Sequence, residues 1–346
     1  MSDFVSRIRI PLFEAQLENV TTAIRDGGYL SQGPHLEQLS ASLCSMFDMQ
    51  YAVLTSNGFA ALFAILKSYS SGENAVLTAP ASTCFAFVNA IKAAGCKPTF
   101  VDMDVASASI TEDVEPPLWG GDNAIAVVPD HFGRIAPFCR KPRSDKGLLI
   151  EDAAQSFLSR RNVSTESDVL VLSFYPTKLV NGIDGGAVLT NRQDIYEGVK
   201  HMVSYVDQFK YESTTRFNLG MNNINAAFAL GTLTHIEEIQ SALLQKFAAL
   251  QKICEQSGLR VLMPETGEVP SRFIVMTDNT EERDVLQDRF RHAKIEASRE
   301  LMRLCSQTDR DRFPNADKLV ELSFSLPFHP SLSVSGLESI RTVLEN

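Results

Sequence analysis

The sequence predicts an α/β protein: a large domain with a mostly parallel sheet flanked by helices over residues 1–240, and a smaller C-terminal α/β domain over residues 241–346. Three observations carry this. Through roughly the first two hundred residues, apolar runs of strand length alternate with runs of helical spacing, the pattern of crossover units that build parallel sheets. Each apolar run ends in polar residues, and ligands of such sheets sit beyond the carboxyl ends of the strands. A long stretch of helical period then runs from Asn222 to Gly258, and the chain beyond it changes to shorter strands with a helix among them.

In order, "HLEQLSASLCSMF" places Leu36, Leu39, Leu43 and Phe47 near helical spacing. "YAVLTS" is a strand that runs through Asn57-Gly58 into the helix "NGFAALFAILKSY". "NAVLTAP" is a strand, "CFAFVNAIKAAG" a helix stopped by Gly95, and "KPTFVDMD" a strand. "NAIAVVPDHFG" and "GLLIEDAAQ" repeat the apolar run with a polar end. Val169 to Leu172 form a short buried strand, and Gly185-Gly186 a turn into another. "SYVDQFKYESTTRFN" has neither period and reads as a loop. In the smaller domain "RVLMPE", "SRFIVMTD" and "LSFSLPFHP" read as strands and "EERDVLQDRFRHA" as a helix.

The chain's 346 residues make room for about two domains. Its net charge of -10, with no block of Lys or Arg, argues against a nucleic-acid partner. No apolar stretch approaches the roughly 18 residues that span a bilayer, and the start lacks the basic-then-apolar order of a signal peptide. A cytoplasmic location without a membrane partner is expected. Six cysteines lie far apart with no Cys-x-x-Cys pair, which predicts reduced, mostly buried thiols. The six histidines are scattered as well, and no metal site is expected.

Each polar cluster carries two readings. "TSNGFAAL" takes a strand into a helix at Gly58, either a plain turn or free N–H groups aimed at a phosphate. Asp152 and Gln155 follow an apolar strand, and Asp152 is a helix cap or the partner of a protonated ring nitrogen. Ser173 is a packing serine or a second phosphate donor. Lys178, between an apolar run and a glycine turn and aimed by a Pro-Thr step, is a solvated loop lysine or one that forms an imine. An ammonium there is costly unless something neutralises it or bonds to it. Together these residues match what pyridoxal phosphate requires: a lysine for its aldehyde, an acid for its ring nitrogen and donors for its phosphate. The lysine amine would then act as general base and acid in a proton shift.

The sequence resembles the nucleotide-sugar aminotransferases, the DegT-type group of fold-type I pyridoxal phosphate enzymes, from about Pro11 to the C terminus. The marks are "GGYLSQGPHLEQLS", "TSNGFAAL", "GCKPTFVDMD", "LIEDAAQS", "SFYPTKLVNGIDGGAVLT" and "RFNLGMNNINAA", in family order. The resemblance implies a fold-type I architecture. It implies that Lys178 bonds to the cofactor, Asp152 meets the pyridinium and Gln155 the ring hydroxyl. It gives the phosphate to Ser173 and to the amides of Gly58 and Phe59. It also implies that Asn218 reaches the phosphate of a neighbouring subunit, so that the working unit is a homodimer. Four positions depart from the pattern. Phe59 replaces a threonine, Cys84 a stacking aromatic, and "RRNVSTESD" lacks glycines near Asp168. Gly220 stands where an arginine is frequent.

The activity implied is transfer of the amino group of L-glutamate to a nucleotide-diphosphate-linked keto sugar, a step of amino-sugar biosynthesis such as lipopolysaccharide or antibiotic assembly uses. A keto-cyclitol acceptor, or a regulatory protein that binds the cofactor without turnover, are the alternatives. Related enzymes that remove a sugar hydroxyl carry a histidine in place of the lysine, and Lys178 argues against them.

Overall fold

The structure is a computed structural model that describes residues 4–26, 30–69, 76–110, 124–140, 147–204, 215–304 and 311–345. Helices α1 (Glu14–Arg25) and α2 (Pro34–Phe47) lead into β1 (Tyr51–Thr55) and α3 (Gly58–Tyr69). There follow β2 (Val76–Pro80), β3 (Ser82–Thr83), α4 (Phe85–Ala93), β4 (Pro98–Val101), β5 (Ala124–Pro129), β6 (Leu148–Asp152) and α5 (Phe157–Asn162). Next come β7 (Val169–Ser173), β8 (Gly186–Thr190), α6 (Gln193–Val203), α7 (Asn223–Leu233) and α8 (Ile236–Gln256). The chain closes with β9 (Arg260–Val261), β10 (Phe273–Met276), α9 (Thr280–His292), β11 (Met302–Arg303), α10 (Pro314–Leu322), β12 (Ser323–Leu326) and α11 (Val334–Glu345).

Among the described residues the large sheet has seven strands in the order β1-β8-β7-β6-β5-β2-β4. The pairs of β4, β2, β5, β6 and β7 are parallel, while β8 runs antiparallel to both its neighbours. The expected mostly parallel sheet is present, with this one reversed strand.

The sheet is buried on both faces, which is why its strands read as unbroken apolar runs rather than alternating ones. In β7, Val169 and Val171 pack with α3, α4 and α6, while Leu170 and Leu172 pack with α7, α8 and the second sheet. Helix α3 is buried from Ala60 to Leu66 and lies against β8, α4 and α6. Each fully buried Leu or Ile there stabilises by about 1.5–3 kcal/mol. The second sheet has the order β12-β10-β9 and contributes Phe273, Val275, Phe324 and Leu326 to the core shared with α7 and α8.

The stretch 222–258 is two helices rather than one. Asn222 caps α7 by accepting the Asn225 N–H at 2.8 Å. The chain breaks at Thr234 and His235, where the Thr234 hydroxyl turns back to the Gly231 carbonyl at 2.8 Å. Gly231 itself is held against α1; a Cβ there would stand 2.6 Å from Gln16 Cα. Helical period runs on through this break, so periodicity alone could not reveal it. In "SYVDQFKYESTTRFN", residues 205–214 lie outside the described residues and residues 215–218 are neither helix nor strand.

Candidate active site

The carboxyl ends of five strands meet at one edge of the large sheet: Thr55 of β1, Pro80 of β2, Pro129 of β5, Asp152 of β6 and Ser173 of β7. Strand β8 starts at the same edge, and the register sets Pro129 beside Asp152 and Ser173 beside Gly186. Every polar cluster read from the sequence therefore follows a strand end on one surface.

Three strands build a cradle at that edge. Asn57 caps α3, its side chain accepting the Ala60 N–H at 2.8 Å and its carbonyl the Ala61 N–H at 3.1 Å. The N–H groups of Gly58 and Phe59 precede the helical ladder and, among the described residues, donate to no backbone group, which leaves them for a ligand. Gly186 lets the helix begin this close to the sheet. A Cβ on Gly186 would stand 2.5 Å from the Asn57 carbonyl carbon and 2.7 Å from Gly58 N. A Cβ on Gly58 would in turn lie 3.2 Å from Ser173 Oγ. One hydroxyl and two amides at a helix start suit an anion such as a phosphate.

Lys178 is aimed by a tight turn. Its N–H donates to the Tyr175 carbonyl at 2.8 Å, with Pro176 at the position of the turn where a fixed φ fits. The base of this loop is closed by Phe174 N–H to Gly185 and Gly182 N–H to Phe174, both at 2.8 Å. Burial and the neighbouring Arg272 guanidinium hold the Lys178 ammonium below its ordinary pKa, opposed by Asp152, Cys84 and Glu300. A larger neutral fraction of the amine is what attack on an aldehyde needs. Asp152 accepts the Ala154 N–H at 3.1 Å. Burial raises its carboxyl pKa, against the pull of that amide and of Lys178.

Gln155 Oε1 accepts the Phe132 N–H at 3.0 Å, so the side-chain amide is oriented and its NH2 is the group left for a ligand. Phe132 is held by this bond at φ +63°, a left-handed conformation that costs about 1–2 kcal/mol in a residue with a side chain. Its carbonyl also accepts the Ser271 N–H at 2.9 Å. His131 Nδ1–H donates to the Ala108 carbonyl at 2.7 Å, which leaves Nε2 to accept the Thr83 hydroxyl at 2.9 Å. Burial lowers its pKa to about 4, so the ring is neutral near neutral pH.

The structure thus brings together Lys178, Asp152, Gln155, Ser173, Gly58 and Phe59. A small cavity joins Lys178, Gln155 and Ser173 to Ser271 and Arg272. Arg272 is 8% exposed. Its Nη2 donates to the Thr177 carbonyl at 3.4 Å, and its Nε faces Glu300 at 3.5 Å. Sequence reading missed Arg272 and Glu300; the available signal was an arginine placed directly before the apolar strand "FIVM". Asn218 stands apart from this group. It is exposed on the wall of a groove of about 1060 Å3 that Leu36, Tyr51 and Lys200 also line. Its neighbour Leu219 nonetheless accepts the Ser56 N–H at 2.6 Å, beside the cradle.

At the departures from the family pattern, Phe59 stacks on Phe63 and Phe85 is exposed. Cys84 precedes α4 and lies near Lys178. Among the described residues Cys44, Cys84 and Cys254 are free thiols, and no helix is long and apolar enough to cross a membrane.

The chain is similar, at 26% identity over 94% of each protein, to a GDP-perosamine synthase from Escherichia coli O157:H7. Its fold superposes on a putative sugar aminotransferase of Streptococcus pneumoniae in its PMP form. The TM-score is 0.85 at 18% identity, with 98% of this chain and 97% of that one covered. It also matches an E. coli GDP-4-keto-6-deoxy-D-mannose-3-dehydratase with bound hydrated PLP, with a TM-score of 0.82, 15% identity and coverage of 99% and 100%. The fold is therefore common to aminotransferases and a dehydratase, and the family is settled by sequence. Matched by that family's sequence pattern over residues 12–345, the chain belongs to the DegT/DnrJ/EryC1/StrS aminotransferase family.

Proposed function

We propose that this protein is a pyridoxal-phosphate-dependent aminotransferase that moves the amino group of L-glutamate to a keto sugar carried on a nucleoside diphosphate. The observation that carries the reading is the meeting of Lys178, Asp152 and Gln155 beside the Gly58–Ser173 cradle. These residues fit the cofactor: two free amides and a hydroxyl for a phosphate, a buried carboxyl for a ring nitrogen, an oriented NH2 for a ring oxygen. When bound, pyridoxal phosphate supplies a conjugated ring that accepts the electron pair of a broken C–H bond.

The rest falls to the chain. Gly58, Phe59 and Ser173 hold the phosphate, and Asp152, as a carboxylate, keeps the ring nitrogen protonated. Gln155 donates Nε2–H to the ring oxygen. Lys178 would hold the cofactor by its aldehyde, and its amine would serve as the base and acid that moves the proton of the amino-acid C–H bond. Arg272 keeps part of the amine neutral. In this reading residues 1–240 hold the cofactor, residues 241–346 form the smaller domain that brings Arg272 and Glu300, and two chains pair so that Asn218 serves the partner's phosphate.

A nucleotide-linked acceptor is favoured by the relative whose name specifies a GDP-sugar product. The lysine at 178 favours amino transfer over the dehydratase chemistry of the E. coli enzyme with the same fold. The test is to incubate the loaded protein with L-glutamate and a set of GDP-, dTDP- and UDP-linked keto sugars. Formation of 2-oxoglutarate together with one amino-sugar nucleotide is the expected result. Turnover with a keto-cyclitol alone, or cofactor binding without any turnover, would replace this reading.

A further inference from the structure

Below the edge that carries Asp152, two carboxyl side chains are buried against each other. Asp130, directly after β5, is 1% exposed, and Glu151 of β6 is 0% exposed. Among the described residues neither has a cation at hydrogen-bond distance. The nearest, Arg160 Nε of α5, stands 3.6 Å from Glu151 Oε1, and the same guanidinium gives Nη1 to the Val163 carbonyl at 3.2 Å.

The donors at this pair are one short. Asp130 Oδ1 accepts the Ala136 N–H at 2.9 Å and Oδ2 the Ser156 hydroxyl at 2.7 Å. Glu151 Oε2 accepts the hydroxyls of Thr165 and Ser167, each at 2.6 Å. Among the described residues Glu151 Oε1 is buried and accepts nothing at hydrogen-bond distance, and Arg160 Nε, 3.6 Å away, is likewise unpaired. Asp130 is within hydrogen-bonding reach of Glu151. Ionised carboxylates only accept, so two of them facing each other in a dry site would repel and leave this oxygen unsatisfied. A single proton between them removes the repulsion and supplies one more donor to the pair. Burial and the Glu151 charge push the Asp130 carboxyl well above the usual carboxylate range, which keeps the proton on Asp130.

We propose that Asp130 is protonated in the working protein and donates to Glu151, and that this pair positions the two site residues that follow it, His131 and Asp152. The backbone ties them together: the Asp130 N–H donates to the Asp152 carbonyl at 3.0 Å, the last rung between the ends of β5 and β6. A neutral Asp130 also leaves one negative charge below Asp152 rather than two. A second charge would favour the protonated form of Asp152, which cannot pair with a cationic ring. Among the described residues, the charged or titratable groups set against Asp130 are Glu151 from β6 and, across Glu151, Arg160 from α5. His131 is turned away into its bonds with Ala108 and Thr83.

Infrared difference spectra of wild type and Asp130→Asn at about pH 7.5 test the proton without any dependence on the proposed function. Wild type should carry a protonated-carboxyl band that Asp130→Asn lacks, and Glu151→Gln should shift or abolish that band. A wild-type spectrum without the band, or a band unchanged in either variant, overturns the assignment. The positioning role rests on the cofactor reading and is measured separately, as the half-saturating concentration of pyridoxal phosphate against pH. As pH rises through the range where Asp130 loses its proton, the wild-type value should rise at least about tenfold relative to that of Asp130→Asn. Curves that rise in parallel overturn the positioning role.

Discussion

Gln155 gives its carbonyl oxygen to the backbone N–H of Phe132, 3.0 Å away, and so presents only its NH2 to the site. Gln155→Glu keeps the acceptor for Phe132 and replaces the donor by a second oxygen. It should bind pyridoxal phosphate at least about tenfold more weakly, by fluorescence titration, with a melting temperature close to wild type. Gln155→Ala also releases Phe132 from its left-handed backbone and should lose a further 1–3 kcal/mol, approximately, of stability. Equal affinity in Gln155→Glu and wild type would mean that Gln155 holds the turn and nothing else.

Gly186→Ala sets a methyl 2.5 Å from the Asn57 carbonyl, backbone against backbone, where neither side can yield cheaply. Overpacking of this kind costs about 1–3 kcal/mol. The shift falls on the Asn57–Gly58 peptide, so cofactor affinity should drop together with the unfolding free energy. Urea unfolding and cofactor titration on the same variant check both; an alanine tolerated in both would show that the α3 start is looser than its contacts indicate.

His131 makes the protein sensitive to acid. Its folded pKa is about 4 against 6.5 for the free side chain, so between these values the unfolded chain binds more protons. Its contribution is complete above about pH 6.5 and is lost as pH falls toward about 4, roughly 3 kcal/mol in all. Denaturant titrations of wild type and His131→Asn across that interval should therefore converge or cross by about this amount. Parallel curves would mean that His131 is charged in the folded protein.

Asn218 is exposed, apart from the lysine, on a backbone that touches the cradle through Leu219 and Ser56. If it serves the partner's phosphate, Lys178→Ala and Asn218→Ala subunits should complement. A mixed dimer holds one site lacking both groups and one site with both intact. Co-refolding the two variants should recover activity above either alone. A monomer by sedimentation, or an impaired Asn218→Ala that gains nothing on mixing, contradicts the shared site.

Much of this arrangement was legible because local pattern and tertiary burial agree. "VLVL" announces a strand covered on both faces, and the covered faces are found at Val171 and Leu172. Lys178, Asp152 and Gln155 were legible because each follows such a strand. The break at Thr234 and His235 was not, since it carries neither Gly nor Pro and both halves keep helical spacing. The reversed direction of β8 also left no mark, because a strand buried on both faces reads the same either way. Arg272 and Glu300 reach Lys178 only through the docking of β10 and the segment before β11 on the large sheet. The pairing of Asp130 with Glu151 depends on strand register, which neither residue reveals alone.

The most direct test of the account is reduction of the loaded protein with borohydride, followed by peptide mapping, before and after exposure to L-glutamate. The account predicts a pyridoxyl label on Lys178 before exposure, and its loss when excess L-glutamate has first converted the cofactor to the pyridoxamine form. A label on a different lysine, or a Lys178 label that L-glutamate leaves untouched, would contradict it.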